Sequence, residues 1–216
     1  MFEHRPGEGF LDRCDGGRQL LDAVRRGLPA DDPLVLGLPR GGVVVAAELA
    51  RDLPAELDVL IVRKVAHPSR PELALGAVTA GGAYRNEGLL RRLGITKATF
   101  EQLAAVQAAE VRRRERDFRA ERPPLALAGR AVLLVDDGVA TGATATAAVR
   151  AARAQGPAWL GFAAPVGSVS AVDALSDEVD HLICLLIPSM FRSVSRFYRD
   201  FPQTTDEEVR DILSST

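Results

Sequence analysis

Two adjacent carboxylates, Asp136 and Asp137, follow an apolar run and lead directly into Gly138-Val139-Ala140-Thr141-Gly142-Ala143-Thr144. Paired carboxylates accept hydrogen bonds from hydroxyls and so suit a polyol. The Gly-, Ala- and Thr-rich turn suits a phosphate, because it opens an Ala-rich stretch that reads as a helix, and N–H groups at a helix N-terminus point at anions. Ligands of open α/β sheets bind beyond the carboxyl ends of strands, where this order places both features. The implied ligand is a sugar phosphate.

Other phosphate-binding turns fit less well. The Walker pattern needs a Lys-Ser/Thr pair at a fixed distance from its first glycine, and the turn lacks both spacing and lysine. The dinucleotide fingerprint places its acid some 20 residues after the glycines, whereas here the acids precede them. Adjacent acids can hold a metal, but no histidine or third carboxylate stands nearby to complete a site made of protein ligands alone.

The elements that must position these residues are short apolar runs alternating with helical patterns. Residues 34–38, 57–62, 131–135, 159–164 and 181–187 read as strands whose near-continuous hydrophobicity suits burial on both faces. Residues 11–26, 43–53, 96–121, 144–154 and 169–175 read as helices, and the alternation implies a parallel sheet with right-handed crossovers. Thr96 is the expected N-cap of the long helix and Pro123-Pro124 its stop, with Phe100, Leu103, Val111 and Phe118 on one face. The segment 65–76, rich in Pro and polar residues, reads as a loop, either a lid or a surface insertion. It is followed by a hairpin turn at Gly81-Gly82 between Val78-Thr79 and Ala83-Tyr84.

With 216 residues, 47% hydrophobic and 26% charged, the chain suits one soluble domain. A formal net charge of −2 gives no global attraction to nucleic acid, and acids interleave with the run Arg112-Arg113-Arg114-Glu115-Arg116, which reads as a solvated helix face. Cys14 and Cys184 have no metal spacing and read as reduced, Cys184 as a core residue. The charged start, Met1-Phe2-Glu3-His4-Arg5-Pro6-Gly7, lacks a signal-peptide pattern, and no apolar run approaches the roughly 20 residues of a membrane helix. A cytoplasmic protein is expected.

Asp-Asp-Gly-x-x-Thr-Gly-x-Thr after four apolar residues resembles the phosphoribosyl-diphosphate signature of the type I phosphoribosyltransferases. The resemblance implies that Asp136 and Asp137 hold the ribose 2- and 3-hydroxyls. It further implies that the backbone of Gly138, Val139, Ala140, Thr141, Gly142, Ala143 and Thr144, with the hydroxyls of Thr141 and Thr144, cradles the 5-phosphate. Pro39-Arg40-Gly41-Gly42 after the first strand resembles the family's diphosphate loop. Gly41 and Gly42 would let the backbone approach closely, and Arg40 would supply fixed charge. That turn often carries a cis non-proline peptide in the family, which makes the Pro39–Arg40 bond a candidate. Arg63 and Lys64, emerging from the second strand, suit the leaving diphosphate and its Mg²⁺. Arg40 and Lys64 are thus the expected catalytic cations. Segment 65–76 matches the family's flexible loop; His67, Arg70 and Glu72 lie in it, and His67 is not counted as catalytic.

The resemblance runs from Leu34 to about Leu186 and is closest to a bacterial group of predicted phosphoribosyltransferases whose acceptor no motif defines. Phe10-Leu11-Asp12-Arg13 and Phe197-Tyr198-Arg199-Asp200-Phe201 are similar to segments of that group. The implied fold is α/β: a type I phosphoribosyltransferase domain over residues 1–216, its core at about 34–187 a parallel sheet of about five strands with helices on both faces. A flexible loop and hairpin insertion and a small hood complete it. The hood would come from the N-terminal segment, the tail 188–216, or both. Phe191, Phe197, Tyr198 and Phe201 either stack on a base or anchor the tail.

The implied reaction moves the phosphoribosyl group from phosphoribosyl diphosphate to a nitrogen acceptor such as a nucleobase. Mg²⁺ would enter with the substrate, with Asp136 and Asp137 the carboxylates at hand. A homodimer is expected from the family, with no membrane or nucleic-acid partner. Ala140 stands where 6-oxopurine enzymes of the family carry an aspartate, which disfavours hypoxanthine and guanine as acceptors. A regulator of the same fold that senses the donor without turnover is the alternative, favoured only by the arginine run.

Overall fold

The computed structural model describes residues 9–215 apart from 30, 31 and 121, so the charged stretch that opens the chain lies outside the described residues. Five parallel strands form the main sheet: β1 (Leu34–Gly37), β2 (Glu56–Val59), β6 (Ala131–Val135), β7 (Trp159–Val166) and β8 (His181–Leu186), in the order β2-β1-β6-β7-β8. Successive side chains of a strand point to opposite faces. Val35, Leu57, Val59, Leu133, Val135, Ala163 and Ile183 face α1 (Arg13–Gly27) and α2 (Gly41–Asp52). Leu34, Leu36, Val132, Leu134, Leu160 and Phe162 face α5 (Ala143–Arg153) and α6 (Val169–Ser176). Both faces are covered, which is why the strands read as unbroken apolar runs.

The expected strand 57–62 ends early. Leu60 donates its N–H to Gly37 O at 3.1 Å, the last tie to the main sheet. The chain then turns into a second, antiparallel sheet of β3 (Arg63–His67), β4 (Arg70–Thr79) and β5 (Gly82–Arg85), in sequence order. Segment 65–76 is therefore not an open loop but two paired strands around an exposed Pro68-Ser69 turn. Buried Val65, Leu75 and Ala77 tie this hairpin to the core, and irregular register at Val65/Ala66 and Ala66/His67 blurred its alternation in the sequence. His67 serves the turn: its Nδ1 accepts the Ser69 N–H at 3.2 Å. The Gly81-Gly82 hairpin forms as expected.

Three further pieces had no counterpart in the sequence reading. Helix α3 (Glu87–Leu93) is capped by Asn86 and closed by Gly94 in the left-handed region. A single 3-10 turn spans Val194–Phe197, and α7 (Asp206–Ser214) begins in a capping box between Thr205 and Glu208. The long helix α4 (Lys97–Arg119) is capped by Thr96, as expected, and buries Phe100, Val111 and Phe118. Helix α7 packs Val209 and Leu213 into the same core.

A buried ion pair fastens the end of α4 to β2. Arg119 donates from Nε to Asp58 Oδ1 at 3.0 Å and from Nη2 to Oδ2 at 2.8 Å, and Nη2 also reaches Pro123 O at 2.7 Å. The two side chains are only 6% and 3% exposed. Breaking such a pair from one side costs up to about 3–5 kcal/mol when the buried charge is left uncompensated; here Arg122, 3.7 Å from Asp58 Oδ2, offsets part of that. Arg119→Met should lose stability on that order in urea unfolding. Asp58→Leu with Arg119→Met should recover most of the loss, and a double variant that loses the sum of both single effects would show the pair to be uncoupled.

Candidate active site

Register sets the site. Gly37, the last residue of β1, lies beside Val59 of β2 and Val135 of β6. The three strands end level, so residues 38–42, 60–64 and 136–137 leave the sheet side by side. Leu38 N–H donates to Val135 O at 2.8 Å and Asp136 N–H to Ala163 O at 3.1 Å, which holds both turns against the sheet edge.

Gly41 and Gly42 serve this corner directly. A Cβ on Gly42 would lie 2.5 Å from Val135 O and 2.9 Å from Asp136 Cα, and one on Gly41 would collide with Asp137 Oδ2. The close approach these glycines permit is to the chain's own acid pair. The Pro39–Arg40 peptide is cis, and among the described residues nothing accepts the N–H groups of Arg40 and Gly41. Arg40 lies 3.5 Å from Asp206 of α7, a half-exposed contact of little strength.

The loop after the acids is fixed at its far side and open at the other. Val139 N–H donates to Val166 O and Ser168 N–H to Val139 O, both at 2.9 Å, and Ser168 Oγ donates to Ala140 O at 2.5 Å. Gly142 takes φ of 74°, a conformation that favours glycine. Among the described residues nothing accepts the N–H groups of Thr141, Gly142, Thr144 and Ala145, while Thr141 and Thr144 are exposed. A row of free donors at the start of α5 is an anion cradle.

Arg63 and Lys64, at the start of β3, line a cavity of about 410 Å³ together with Leu38, Pro39 and Thr144. Two more polar residues line it, Gln107 and Arg114 of α4. Gln107 Oε1 accepts from Arg63 Nε at 3.4 Å, and Arg114 Nε donates to Glu110 Oε1 at 2.9 Å. Sequence reasoning missed both, having assigned Arg114 to a solvated face. The signal was present: Phe100, Ala104, Gln107, Val111, Arg114 and Phe118 follow the spacing of one helix stripe, and two polar residues break it. Arg113 does face solvent, paired with Glu110 and Asp117.

Two segments distant in sequence, residues 10–11 and 197–200, are joined beside the acid pair. Phe10 N–H donates to Phe197 O at 2.8 Å, while Arg199 and Asp200 N–H donate to Phe10 O and Leu11 O at 2.9 and 2.8 Å. Phe10, Tyr198 and Phe201 stack in a cluster with Val166, and Phe191 stacks on Phe197 at 5.5 Å. Tyr198 is buried, and its hydroxyl donates to Asp137 O at 2.5 Å. These rings anchor the tail, the second of the two expected roles. Arg13, absent from the expected site, donates from Nε to Asp137 Oδ2 at 2.7 Å.

Among the described residues no cluster of three or more His, Cys, Asp or Glu side chains could hold a metal. Both cysteines are free, and burial pushes the Cys184 thiol up to about 12, which leaves it inert at neutral pH. No helix of the described residues is long and apolar enough to cross a membrane.

The class the fold defines is an open parallel α/β sheet whose strand ends gather an acid pair, a row of N–H donors and several cations. Residues 12–202 match the family model described as the phosphoribosyl transferase domain, and the chain belongs to that family, with the type I fold. A Mycobacterium tuberculosis H37Rv protein, provisionally named a phosphoribosyl transferase, is 43% identical over 205 residues, 94% of this chain and 46% of that protein. The chain spans about half the length of the curated relatives it matches. The crystal structure of TT1426 from Thermus thermophilus is similar at TM-score 0.87 and 44% identity, over 96% of this chain and 98% of that one.

Both site carboxyls are held above their ordinary range. Burial raises Asp136 well above it and the neighbouring Asp137 charge adds to this; burial raises Asp137 against the opposing pull of Arg13. A carboxyl whose pKa is raised by folding favours the native state below its unfolded pKa, and that contribution is lost as pH rises through the folded value. Asp136→Asn should therefore raise the Tm of the ligand- and metal-free protein by a few degrees at neutral pH. The gain should shrink as pH falls toward the ordinary carboxylate range. A lower Tm at neutral pH would contradict this account of the pair.

Proposed function

We propose that the chain transfers the phosphoribosyl group of phosphoribosyl diphosphate to a nitrogen acceptor, with release of diphosphate. The observation that carries the reading is the contact between the Arg40-Gly41-Gly42 turn and the Asp136-Asp137 pair, with the anion cradle of residues 138–144 immediately downstream. One ligand that needs a diphosphate site, a diol site and a phosphate site in that order is phosphoribosyl diphosphate.

In this reading Asp136 and Asp137 accept from the ribose hydroxyls, and the N–H groups around Thr141, Gly142 and Thr144 hold the 5-phosphate at the remote end. The acceptor nitrogen bonds to C1 as the C1–O bond breaks, the electron pair leaves with diphosphate, and the acceptor proton passes to solvent. Negative charge grows on the departing group, so pre-placed cations lower the barrier. Arg40, Arg63 and Lys64 are those cations, with Arg114 a fourth across the cavity. Mg²⁺ fits as a companion of the diphosphate, because two carboxylates without a third protein ligand suit a cation that keeps substrate and water oxygens. It would add positive charge on the leaving group. Ala140 offers no proton donor or acceptor, which favours acceptors other than 6-oxopurines.

The regulatory alternative rested on the arginine run. Arg113 is bound to Glu110 and Asp117, and Arg114 turns into the cavity, so that support is reduced.

Incubation with phosphoribosyl diphosphate, Mg²⁺ and a panel of bases should yield diphosphate and a nucleotide. Lys64→Ala should lower kcat by about 10²–10³-fold, whereas Arg114→Ala should act mainly on KM for the donor. Salt-dependent binding of RNA or DNA without turnover of any base would establish the regulator instead.

A further inference from the structure

Arg13 opens α1 and makes three contacts with parts of the chain that are distant in sequence. Its Nε donates to Asp137 Oδ2 at 2.7 Å, and one terminal nitrogen donates to Pro202 O at 2.6 Å, 189 residues away. Its guanidinium carbon lies 3.6 Å from the centroid of the Phe201 ring. The Arg13 and Asp137 side chains are 11% and 17% exposed, so the contact is shielded from water and salt. Phe201 in turn stacks on Tyr198 at 4.8 Å, and Tyr198 donates to the carbonyl of Asp137 itself. The carboxylate is thus held from its side chain by Arg13 and from its backbone by the tail.

We propose that Arg13 is a positioning residue that fixes Asp137 for the ribose of the donor and couples that carboxylate to the tail, so that donor binding and tail order rise together. The inference rests on the donor reading given above. Its chemistry follows from the fork of donors: Nε holds Oδ2 of Asp137 while one of the two terminal nitrogens spans to Pro202, so a single guanidinium ties the carboxylate to the tail. A lysine has the charge but no planar fork, and cannot lie flat on Phe201 while reaching both oxygens. By linkage, whatever strengthens the hold on Asp137 strengthens the hold on the tail equally. The tail closes the hood over the strand ends, so the donor would seat the cover under which the acceptor reacts.

The amides of Phe10, Arg199 and Asp200, whose hydrogen bonds join the two chain ends, report tail order by hydrogen exchange. In the wild type, phosphoribosyl diphosphate with Mg²⁺ should slow their exchange about five- to tenfold. Arg13→Gln should weaken donor binding about tenfold in calorimetry and abolish the exchange response to the donor. Arg13→Lys should recover part of the affinity but not the response. Phe201→Leu, which keeps apolar packing and leaves Asp137 untouched, should also lose the response, and it carries the comparison if Arg13→Gln does not fold. Wild-type affinity in Arg13→Gln, or a wild-type exchange response in Phe201→Leu, overturns the proposal. If the wild type binds no donor, the donor reading fails separately, and the coupling is read without ligand. Asp137→Asn and Arg13→Gln should then both speed exchange at the three amides, and unchanged exchange in both overturns it.

Discussion

The approach of Gly42 to the end of β6 is the constraint on which the site depends. With Val135 O only 2.5 Å from where a Cβ would lie, only glycine lets α2 begin against the neighbouring strand. That contact brings the Pro39–Arg40 turn over the acid pair, and the level ends of β1, β2 and β6 set the cations of residues 63–64 beside both. The same parallel register that buries Val35, Leu133 and Val135 therefore also decides which polar residues meet. Core packing and site assembly are one event here, since a slip of a single residue would reverse every strand side chain and separate the two turns.

Placing two carboxylates at that corner is unfavourable in the absence of ligand. Burial opposes the ionisation of both, the Asp137 charge opposes that of Asp136 further, and Arg13 relieves both, Asp137 more directly through its hydrogen bond. Sites that must bind polar or cationic groups commonly carry such uncompensated charge, and the rest of the fold holds it in place. Here the holding structure is extensive: the β1–β6 ladder on one side, the Tyr198 hydroxyl on the backbone of Asp137, and the buried core that continues through α4 and α7. Beside the acids, the cradle of residues 141–145 leaves N–H groups without acceptors, the opposite deficit at short range. An anion with hydroxyls satisfies both at once.

The main sheet was legible because β1, β2, β6 and β7 are buried almost throughout and the edge strand β8, though only partly buried, is apolar after His181, so hydrophobicity alone marked all five. The second sheet was not. Its strands are half-exposed, its register is irregular near Val65, and Pro68 and Pro71 lend the segment the composition of a loop. Composition also misled at Arg114. Six charged residues in a row, 112–117, suggest solvent, but periodicity assigns Gln107 and Arg114 to the stripe of Phe100, Val111 and Phe118, and the helix turns that stripe inward. Where composition and period disagree on a helix, the period reports direction, because it is fixed by backbone geometry.

The two halves of the site are encoded differently, which explains what a motif can reveal about it. The acid pair and cradle are consecutive residues at one strand-to-helix turn, so local sequence specifies their geometry almost completely. Beside it residues 10–13 join 197–202, and the key side chains there, Arg13, Tyr198 and Phe201, acquire partners only after the sheet has brought these distant segments together. No local pattern distinguishes a ring that anchors a tail from one that receives a base. In this chain Phe10, Tyr198 and Phe201 spend their faces on one another and on Arg13. The aromatic cluster therefore meets the site through Arg13 and the Asp137 carbonyl, and the segment that the motif left open is in direct contact with the acid pair that it specified.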